Sequence, residues 1–195
     1  MTAATANVST APTLARRAYH IARHMPDRML HQRRHRNLLR RLSAGTTPKT
    51  ILVVCYGNVC RSPYLAAVLK RALPDATLLS AGFLPGGRRV PDAALEVSTA
   101  RGHDLSAFRS SAISAEMVDR AELIIVMDAR QAAGLAVRFP SARSRLVVAG
   151  DLDPVFENTR AIRDPWNESP EIFEAAFDRL DRCAASLAKS LHHGG

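Results

Sequence analysis

A nucleophilic side chain and an anion-binding side chain lie six positions apart in the first third of this chain of 195 residues. Cys55 and Arg61 flank a short loop, which follows the apolar run 51–54 and precedes a helix-forming segment. A cysteine thiolate is a strong nucleophile, and an arginine can donate two parallel hydrogen bonds to an oxyanion. The pattern therefore favours covalent attack on a bound phosphate.

The elements beside this loop determine what it can bind. Residues 51–54 predict a buried strand, and Ser62 and Pro63 suit the first turn of a helix, with Ser62 as its cap. A loop at a helix N-terminus meets unpaired N–H groups and the positive end of the helix dipole, which favour an anion and lower a cysteine pKa to about 3.5–7.5. We therefore expect Cys55 to be a thiolate at neutral pH.

The residues inside the loop fit a phosphate cradle. Gly57 predicts a tight turn with positive φ, and Asn58 tolerates such a turn while its amide bonds the neighbouring backbone. Val59 adds an apolar wall that suits a phenyl ring. We expect the phosphate and the group attached to it to be held by Tyr56, Gly57, Asn58, Val59 and Cys60.

A second candidate motif, Asp164-Pro165-Trp166, lies far downstream and contains the one tryptophan of the chain. A carboxylic acid can protonate a leaving group and then accept a proton from water. Asp151 and Asp153 are rival acids, but neither is followed by a proline and an aromatic residue, so we expect them in loop or capping positions.

With both motifs in this order, the chain resembles the low-molecular-weight protein tyrosine phosphatases, whose signature loop is Cys-x5-Arg-Ser near the start of the catalytic domain. Residues 55–63 carry that signature, and residues 164–166 carry the family's Asp-Pro-aromatic motif. The resemblance runs from about residue 49 to residue 191 and includes Ser80-Ala81-Gly82 and Asp104-Leu105-Ser106.

The resemblance implies a catalytic role for each residue. Cys55 would attack phosphorus, Arg61 with the loop amides would bind the equatorial oxygens, and Ser62 would hydrogen-bond the Cys55 sulfur. Asp164 would protonate the departing phenol oxygen, and Trp166 would form one wall of the pocket. The implied activity is hydrolysis of phosphotyrosine in a protein substrate through a phosphocysteine intermediate, with no metal or other cofactor.

The cysteines carry further expectations. The resemblance implies that Cys60 can form a reversible disulfide with Cys55 and so protect it from over-oxidation. A zinc site is not expected, because Cys55 and Cys60 have no Cys or His pair at ligand spacing and Cys183 lies alone in a helical stretch. Three cysteines without a signal peptide favour a reducing compartment, and we expect a cytoplasmic location.

Other functions of the same fold stay open. Arsenate reduction would need a further cysteine pair, and Cys183 is the one cysteine left outside the loop. Phosphoarginine hydrolysis is another possibility, for which a Thr is more familiar than Val59. A non-catalytic anion-binding regulator is the third, because Phe108 replaces a family histidine that helps to hold Asn58.

The segment after Ser80-Ala81-Gly82 also differs from the family. Phe83 and Leu84 are followed by two glycines and then by Arg88 and Arg89. The mouth of the pocket is therefore predicted to be apolar on one side and cationic on the other.

Positive charge is concentrated at one end of the chain. Residues 1–50 hold ten of the 27 Lys and Arg but one of the 18 Asp and Glu, and so account for the whole net charge of +9. After a Thr/Ala/Ser-rich start that should be disordered, two amphipathic helical segments are expected, interrupted at Pro26.

Residues 12–43 could bind an acidic partner or an anionic membrane surface. Specific nucleic-acid binding is not expected, because Tyr19 is the one aromatic residue there. A transit sequence and a solvated tail are the alternatives.

The rest of the chain predicts an α/β fold. Apolar runs at 51–54, 76–79, 123–127 and 145–149 alternate with helical patterns near 62–73, 91–101, 129–138 and 170–190. This alternation predicts an open parallel four-stranded sheet with helices on both faces and the phosphate-binding loop after the first strand. We divide the chain into a basic extension, residues 1–48, and a catalytic domain, residues 49–195.

Overall fold

A computed structural model describes the backbone of residues 14–192 and the side chains of residues 29–192. The strands are β1 (Thr50–Cys55), β2 (Thr77–Gly82), β3 (Leu123–Val126) and β4 (Leu146–Val148). The helices are α1 (Leu14–Ala44), α2 (Arg61–Ala72), α3 (Asp92–Ala100), α4 (Ala115–Arg120), α5 (Ala129–Arg138) and α6 (Pro170–His192). Short 3-10 helices cover Pro140–Arg145 and Ala149–Asp151.

The sheet is parallel, with the strand order β2-β1-β3-β4. Alternate residues of the central strand β1 enter two separate hydrophobic clusters, as the twofold period of a strand requires. Ile51, Val53 and Cys55 pack with α2 and α6, whereas Leu52 and Val54 pack with β3 and α5. Helices therefore cover both faces of the sheet, and the predicted fold class is confirmed.

The predicted strands and four predicted helices are all present, and their ends lie within one or two residues of those expected, except that β2 ends at Gly82, three residues beyond the predicted end. The six-residue helix α4 was not predicted. Its N-terminus is capped by Ser114, whose hydroxyl accepts a hydrogen bond from Met117 N at 3.2 Å. A helix of about one and a half turns is too short to show the helical period of apolar residues in its sequence. Ser114, a typical N-cap residue, was therefore the one sequence feature that could have indicated this helix.

The basic extension contains one continuous helix, α1, which passes through Pro26. The prediction that Pro26 divides it into two segments is wrong. A proline removes one backbone hydrogen bond and crowds the preceding turn, and this local cost is outweighed by the other hydrogen bonds of a 31-residue helix. The Thr/Ala/Ser-rich start predicted to be disordered lies outside the described residues.

The C-terminal half of α1 packs against the α/β fold formed by the rest of the chain. Leu38, Leu39 and Leu42 contact the hydrophobic cluster that contains α6. His31, which is 1% exposed, has Nε2 at 2.9 Å from the carbonyl oxygen of Asp153. No helix in the described part of the chain is both long and apolar enough to cross a membrane.

Asp153 forms a buried ion-pair cluster between α6 and the segment that follows β4. Its side chain is fully buried and accepts hydrogen bonds from Arg179 Nε at 3.0 Å and Arg182 Nε at 2.9 Å. Burial alone would raise the pKa of Asp153, but the hydrogen bond and charge of Arg182 and the charge of Arg179 hold the pKa below its usual value. Asp151 pairs with Arg160. Both rival acids therefore lie in structural ion pairs.

We expect Asp153→Ala to lower the free energy of unfolding by about 3–5 kcal/mol at neutral pH, because it removes the buried carboxylate that is hydrogen-bonded to Arg179 and leaves that arginine only the more distant Glu157, at 3.7 Å. Denaturant unfolding measures this loss. Because the pKa of Asp153 is lowered in the folded protein, its contribution is present above the unfolded pKa of about 4 and is lost as the pH falls through the folded pKa. Asp178→Ala is the control, since this exposed partner of Arg101 should contribute less than about 1 kcal/mol. Equal losses in the two variants would contradict the assignment.

Candidate active site

The nucleophile candidate Cys55 is the last residue of β1 and is 2% exposed. Its Sγ accepts a hydrogen bond from the backbone N–H of Asn58 at 3.1 Å and another from Ser62 Oγ, also at 3.1 Å. Both donors stabilise negative charge on the sulfur. The loop that follows Cys55 runs directly into α2, so it lies at a helix N-terminus, where the first N–H groups lack helical acceptors.

Ser62 does not cap α2, contrary to the prediction. The helix begins at Arg61, its N-cap residue is Cys60, and no side chain caps it. Ser62 therefore lies inside the first turn, with its hydroxyl directed at the Cys55 sulfur. The helix begins two residues earlier than a Ser62 cap would place it, and the Ser62 hydroxyl is therefore available to the sulfur.

Asn58 fixes the shape of the loop. It is fully buried and adopts a positive φ of 53°. Its Nδ2 donates to Ser62 Oγ at 2.8 Å and to Ser80 Oγ at 2.6 Å, and its Oδ1 accepts from Ser111 N at 2.7 Å. Phe108 packs against the hydrophobic core instead. Asn58 thus has a full set of partners without a histidine at position 108.

The expectation of a positive φ at Gly57 is wrong, because Asn58 adopts that conformation instead. Asparagine tolerates it when its side chain is hydrogen-bonded locally. The glycine that the loop requires is Gly82, at the end of β2. A Cβ there would lie 2.9 Å from the Cβ and N of Asn58 and from the carbonyl oxygen of Tyr56. Gly82 therefore lets β2 approach the loop closely.

Arg61 connects the loop to the second motif. Its side chain is 4% exposed, its Nη1 donates to the carbonyl oxygen of Ile162 at 3.0 Å, and its Nη2 forms an ion pair with Asp164 Oδ2. Its Nε is buried and has no hydrogen-bond partner among the described residues. An unpartnered buried donor is costly, so this nitrogen is available for an anion that enters the site.

Asp164-Pro165-Trp166 forms a turn at the edge of the cavity. Asp164 Oδ1 accepts a hydrogen bond from Trp166 N at 3.3 Å, and the Asp164 side chain is 47% exposed. One carboxylate oxygen is thus held by the turn and the other by Arg61. This arrangement places a carboxyl group at the mouth of the loop.

A cavity of about 240 Å³ brings these groups together. It contains every predicted site residue except Asn58 and Ser62, which are fully buried. Its reactive and charged groups are Cys55, Arg61, Arg88 and Asp164, and its apolar walls are Tyr56, Val59, Leu84 and Trp166. The predicted mouth, apolar on one side and cationic on the other, matches Leu84 and Arg88 in this lining.

Arg88 is bound to the loop rather than solvated. Its Nη2 donates to the carbonyl oxygen of Gly57, and its Nε donates to that of Pro85 at 3.2 Å. Arg89 is exposed. The sequence predicted a cationic side of the mouth but did not distinguish Arg88 from Arg89. The functional groups that sequence reasoning missed are the backbone groups of Ile162 and Ser111, which carry no side-chain signal.

The other two cysteines are buried free thiols. Burial, reinforced by Cys55, raises the pKa of Cys60 to about 12, so Cys60 is protonated at neutral pH. Cys183 donates from Sγ to the carbonyl oxygen of Ala149 at 3.1 Å, far from the loop in the sequence. Among the residues whose side chains are described, no cluster of three or more His, Cys, Asp or Glu could hold a metal ion.

Known proteins resemble this chain in sequence and in fold. A family model described as low molecular weight phosphotyrosine protein phosphatase matches residues 50–194. The low molecular weight protein-tyrosine-phosphatase Wzb of Salmonella typhi is 40% identical over 146 residues, which are 73% of this chain and 93% of Wzb.

Two solved structures are similar as well. The tyrosine phosphatase AmsI of Erwinia amylovora has a TM-score of 0.70 and 30% identity, over 75% of this chain and 95% of its own. The YwlE arginine phosphatase of Geobacillus stearothermophilus has a TM-score of 0.68 and 31% identity, over 74% of this chain and 94% of its own. The resemblance stated from the sequence is confirmed, and the chain belongs to the low molecular weight phosphotyrosine protein phosphatase family.

Proposed function

We propose that this protein hydrolyses phosphotyrosine in protein substrates through a phosphocysteine intermediate on Cys55. The observation that carries the proposal is the unpartnered Nε of Arg61, buried in the same cavity as the Cys55 sulfur. A buried cation beside a nucleophile that already accepts two hydrogen bonds suits a dianionic phosphate.

In the first step, the Cys55 sulfur attacks phosphorus while Arg61 and the loop N–H groups bind the equatorial oxygens. The sulfur–phosphorus bond forms as the bond to the leaving oxygen breaks. In the second step, water attacks the phosphocysteine and the thiolate leaves. Ser62 donates to the sulfur and so stabilises it as a leaving group.

Asp164 is the general acid and base in this proposal. In the structure without substrate it pairs with Arg61 Nη2. A bound phosphate competes for that guanidinium, which frees the Asp164 carboxyl to face the leaving oxygen. Asp164 then donates a proton to the phenol oxygen and in the second step takes one from water.

The walls of the cavity favour an aryl phosphate over phosphoarginine, the second candidate substrate raised by the similarity to YwlE. Tyr56, Val59, Leu84 and Trp166 form an apolar surface suited to a phenyl ring. A guanidinium leaving group would instead lie near the cation of Arg88. Asp164 is the one carboxylate that lines this cavity in the described chain.

The reversible Cys55–Cys60 disulfide stays a prediction. Both thiols are buried and line the same cavity. Cys60 would attack an oxidised Cys55 sulfur only after losing its proton, which its raised pKa opposes. The location in a reducing, cytoplasmic compartment also stays a prediction and fits the need to keep Cys55 reduced.

We further propose that residues 49–195 are the catalytic domain and that the extension, residues 1–48, presents a basic surface. Arg33, Arg36 and Arg40 are exposed on the docked part of α1. An acidic partner or an anionic membrane surface would suit this charge.

We expect Cys55→Ser to reduce aryl phosphate turnover by at least about 10⁴-fold while phosphate still binds, because Arg61 and the loop remain in place. Steady-state kinetics and calorimetric titration with inorganic phosphate measure the two effects. Cys183→Ser is the control and should keep its activity. Substantial turnover by Cys55→Ser would remove the nucleophile role.

We expect Asp164→Ala to slow phenyl phosphate hydrolysis by about 10²–10⁴-fold but to slow nitrophenyl phosphate much less, because a good leaving group needs little protonation. The dependence of kcat on leaving-group pKa measures this difference. Glu168→Ala, in the same loop, should leave that dependence unchanged. Equal slowing of all substrates by Asp164→Ala would show that Asp164 is not the acid.

We expect a phosphotyrosine peptide to be preferred over a phosphoarginine peptide by at least about 10²-fold in kcat/KM, because the cavity wall is apolar. Val59→Thr should narrow this ratio, and Val137→Thr, a change at an exposed valine on α5, should not. A preference for phosphoarginine in the unmodified protein would make the second candidate the correct one.

A further inference from the structure

A second cavity, of about 570 Å³, opens beside the active-site cavity. The two share Tyr56, Arg61 and Asp164, so they lie side by side, although Cys55 lines only the active-site cavity. The volume lies within the range of about 300–1,000 Å³ typical of ligand sites. The proposed reaction itself does not use this second cavity.

The second cavity has an aromatic wall and, at Gly134, unfilled space. The rings of Tyr56 and Phe83 lie 6.5 Å apart between centroids, and the Tyr56 side chain is 56% exposed. Gly134 of α5 lies on the opposite side, and a Cβ added there would meet nothing within 4 Å. The cavity therefore has room for a peptide side chain against an aromatic surface.

The rim of the second cavity carries positive charge. Arg130, at the start of α5, is exposed and forms no ion pair among residues 29–192. Arg163 also lines the cavity and pairs with Glu168 at 3.1 Å, where both side chains are exposed.

The carboxylates of this cavity are already engaged. Asp128 accepts hydrogen bonds from Gln131 N at 2.8 Å and Gln131 Nε2 at 3.0 Å, and Asp164 pairs with Arg61. Arg61 faces the proposed phosphate site and Arg163 is paired, so Arg130 is the exposed cation of this lining that has no ion-pair partner among the described residues.

We propose that this second cavity binds the substrate segment next to the phosphotyrosine and selects an acidic side chain there through Arg130. The inference rests on the proposed function, since it extends the same site. In this proposal, a peptide whose phosphotyrosine reaches Cys55 leaves the active-site cavity on the side of Tyr56 and Asp164, which also border the second cavity. Its neighbouring residue then lies between the aromatic wall and Arg130, where an arginine binds a carboxylate in a bidentate manner.

The test compares phosphotyrosine peptides that carry Glu, Ala or Lys at the positions flanking the phosphotyrosine. The dissociation constants of these peptides are measured with the Cys55→Ser protein, so that binding is observed without turnover. Their kcat/KM values are measured with the active protein. Phenyl phosphate, which lacks flanking residues, is the reference substrate. Arg130→Glu is the variant, and Arg138→Glu, at the other end of the same helix, is the control with the same change in charge.

We expect the unmodified protein to favour Glu over Lys peptides by about 5-fold or more, as one or two exposed ion pairs allow. Arg130→Glu should abolish or reverse that preference, Arg138→Glu should keep it, and phenyl phosphate turnover should not change in either. An equal loss in both variants, or no discrimination by the unmodified protein, would overturn the inference. Failure to hydrolyse phenyl phosphate would instead overturn the proposed function, so the two failures are distinguishable.

Discussion

The site depends on the left-handed backbone of Asn58, which side-chain hydrogen bonds hold in place. The conformation turns the Asn58 N–H toward the Cys55 sulfur. The Asn58 amide in turn bonds Ser62, whose hydroxyl donates to the same sulfur, and Ser80 of β2. The nucleophile, the first turn of α2 and the neighbouring strand are thus joined through one buried side chain. Preorganised donors of this kind cost no reorganisation when charge develops during a reaction.

A second set of contacts holds the acid loop to the same centre. Arg61 bonds the carbonyl oxygen of Ile162 and the carboxylate of Asp164. The carbonyl oxygens of Thr159 and Ala161, a few residues before Asp164, accept hydrogen bonds from Arg179 of α6 at 2.6 Å and 2.8 Å. The segment before Asp164 is therefore fixed by Arg179 from α6 and by Arg61 from the first turn of α2. This explains how a carboxyl group so far along the chain is placed beside Cys55.

Much of the fold could be predicted because the strands are short apolar runs separated by helical patterns, and the loop could be predicted because Cys55 and Arg61 are chemically distinctive. The rest could not, for physical reasons. Backbone groups such as the Ile162 carbonyl leave no trace in the sequence, and a hydroxyl such as that of Ser62 suits either a helix cap or a sulfur. Helix α1 continues through Pro26 because length and packing outweigh a local cost, which sequence alone does not weigh.

Direct observation of the intermediate tests the central claim, that Cys55 carries the phosphoryl group. Protein mixed with phenyl phosphate would be quenched in acid within the first turnover and analysed by intact-mass and peptide-level mass spectrometry. The account predicts one added phosphoryl group, located on Cys55 and lost on further incubation with water. A phosphoryl group on another residue, or phenol release with no protein-bound phosphoryl group at any time, would contradict it.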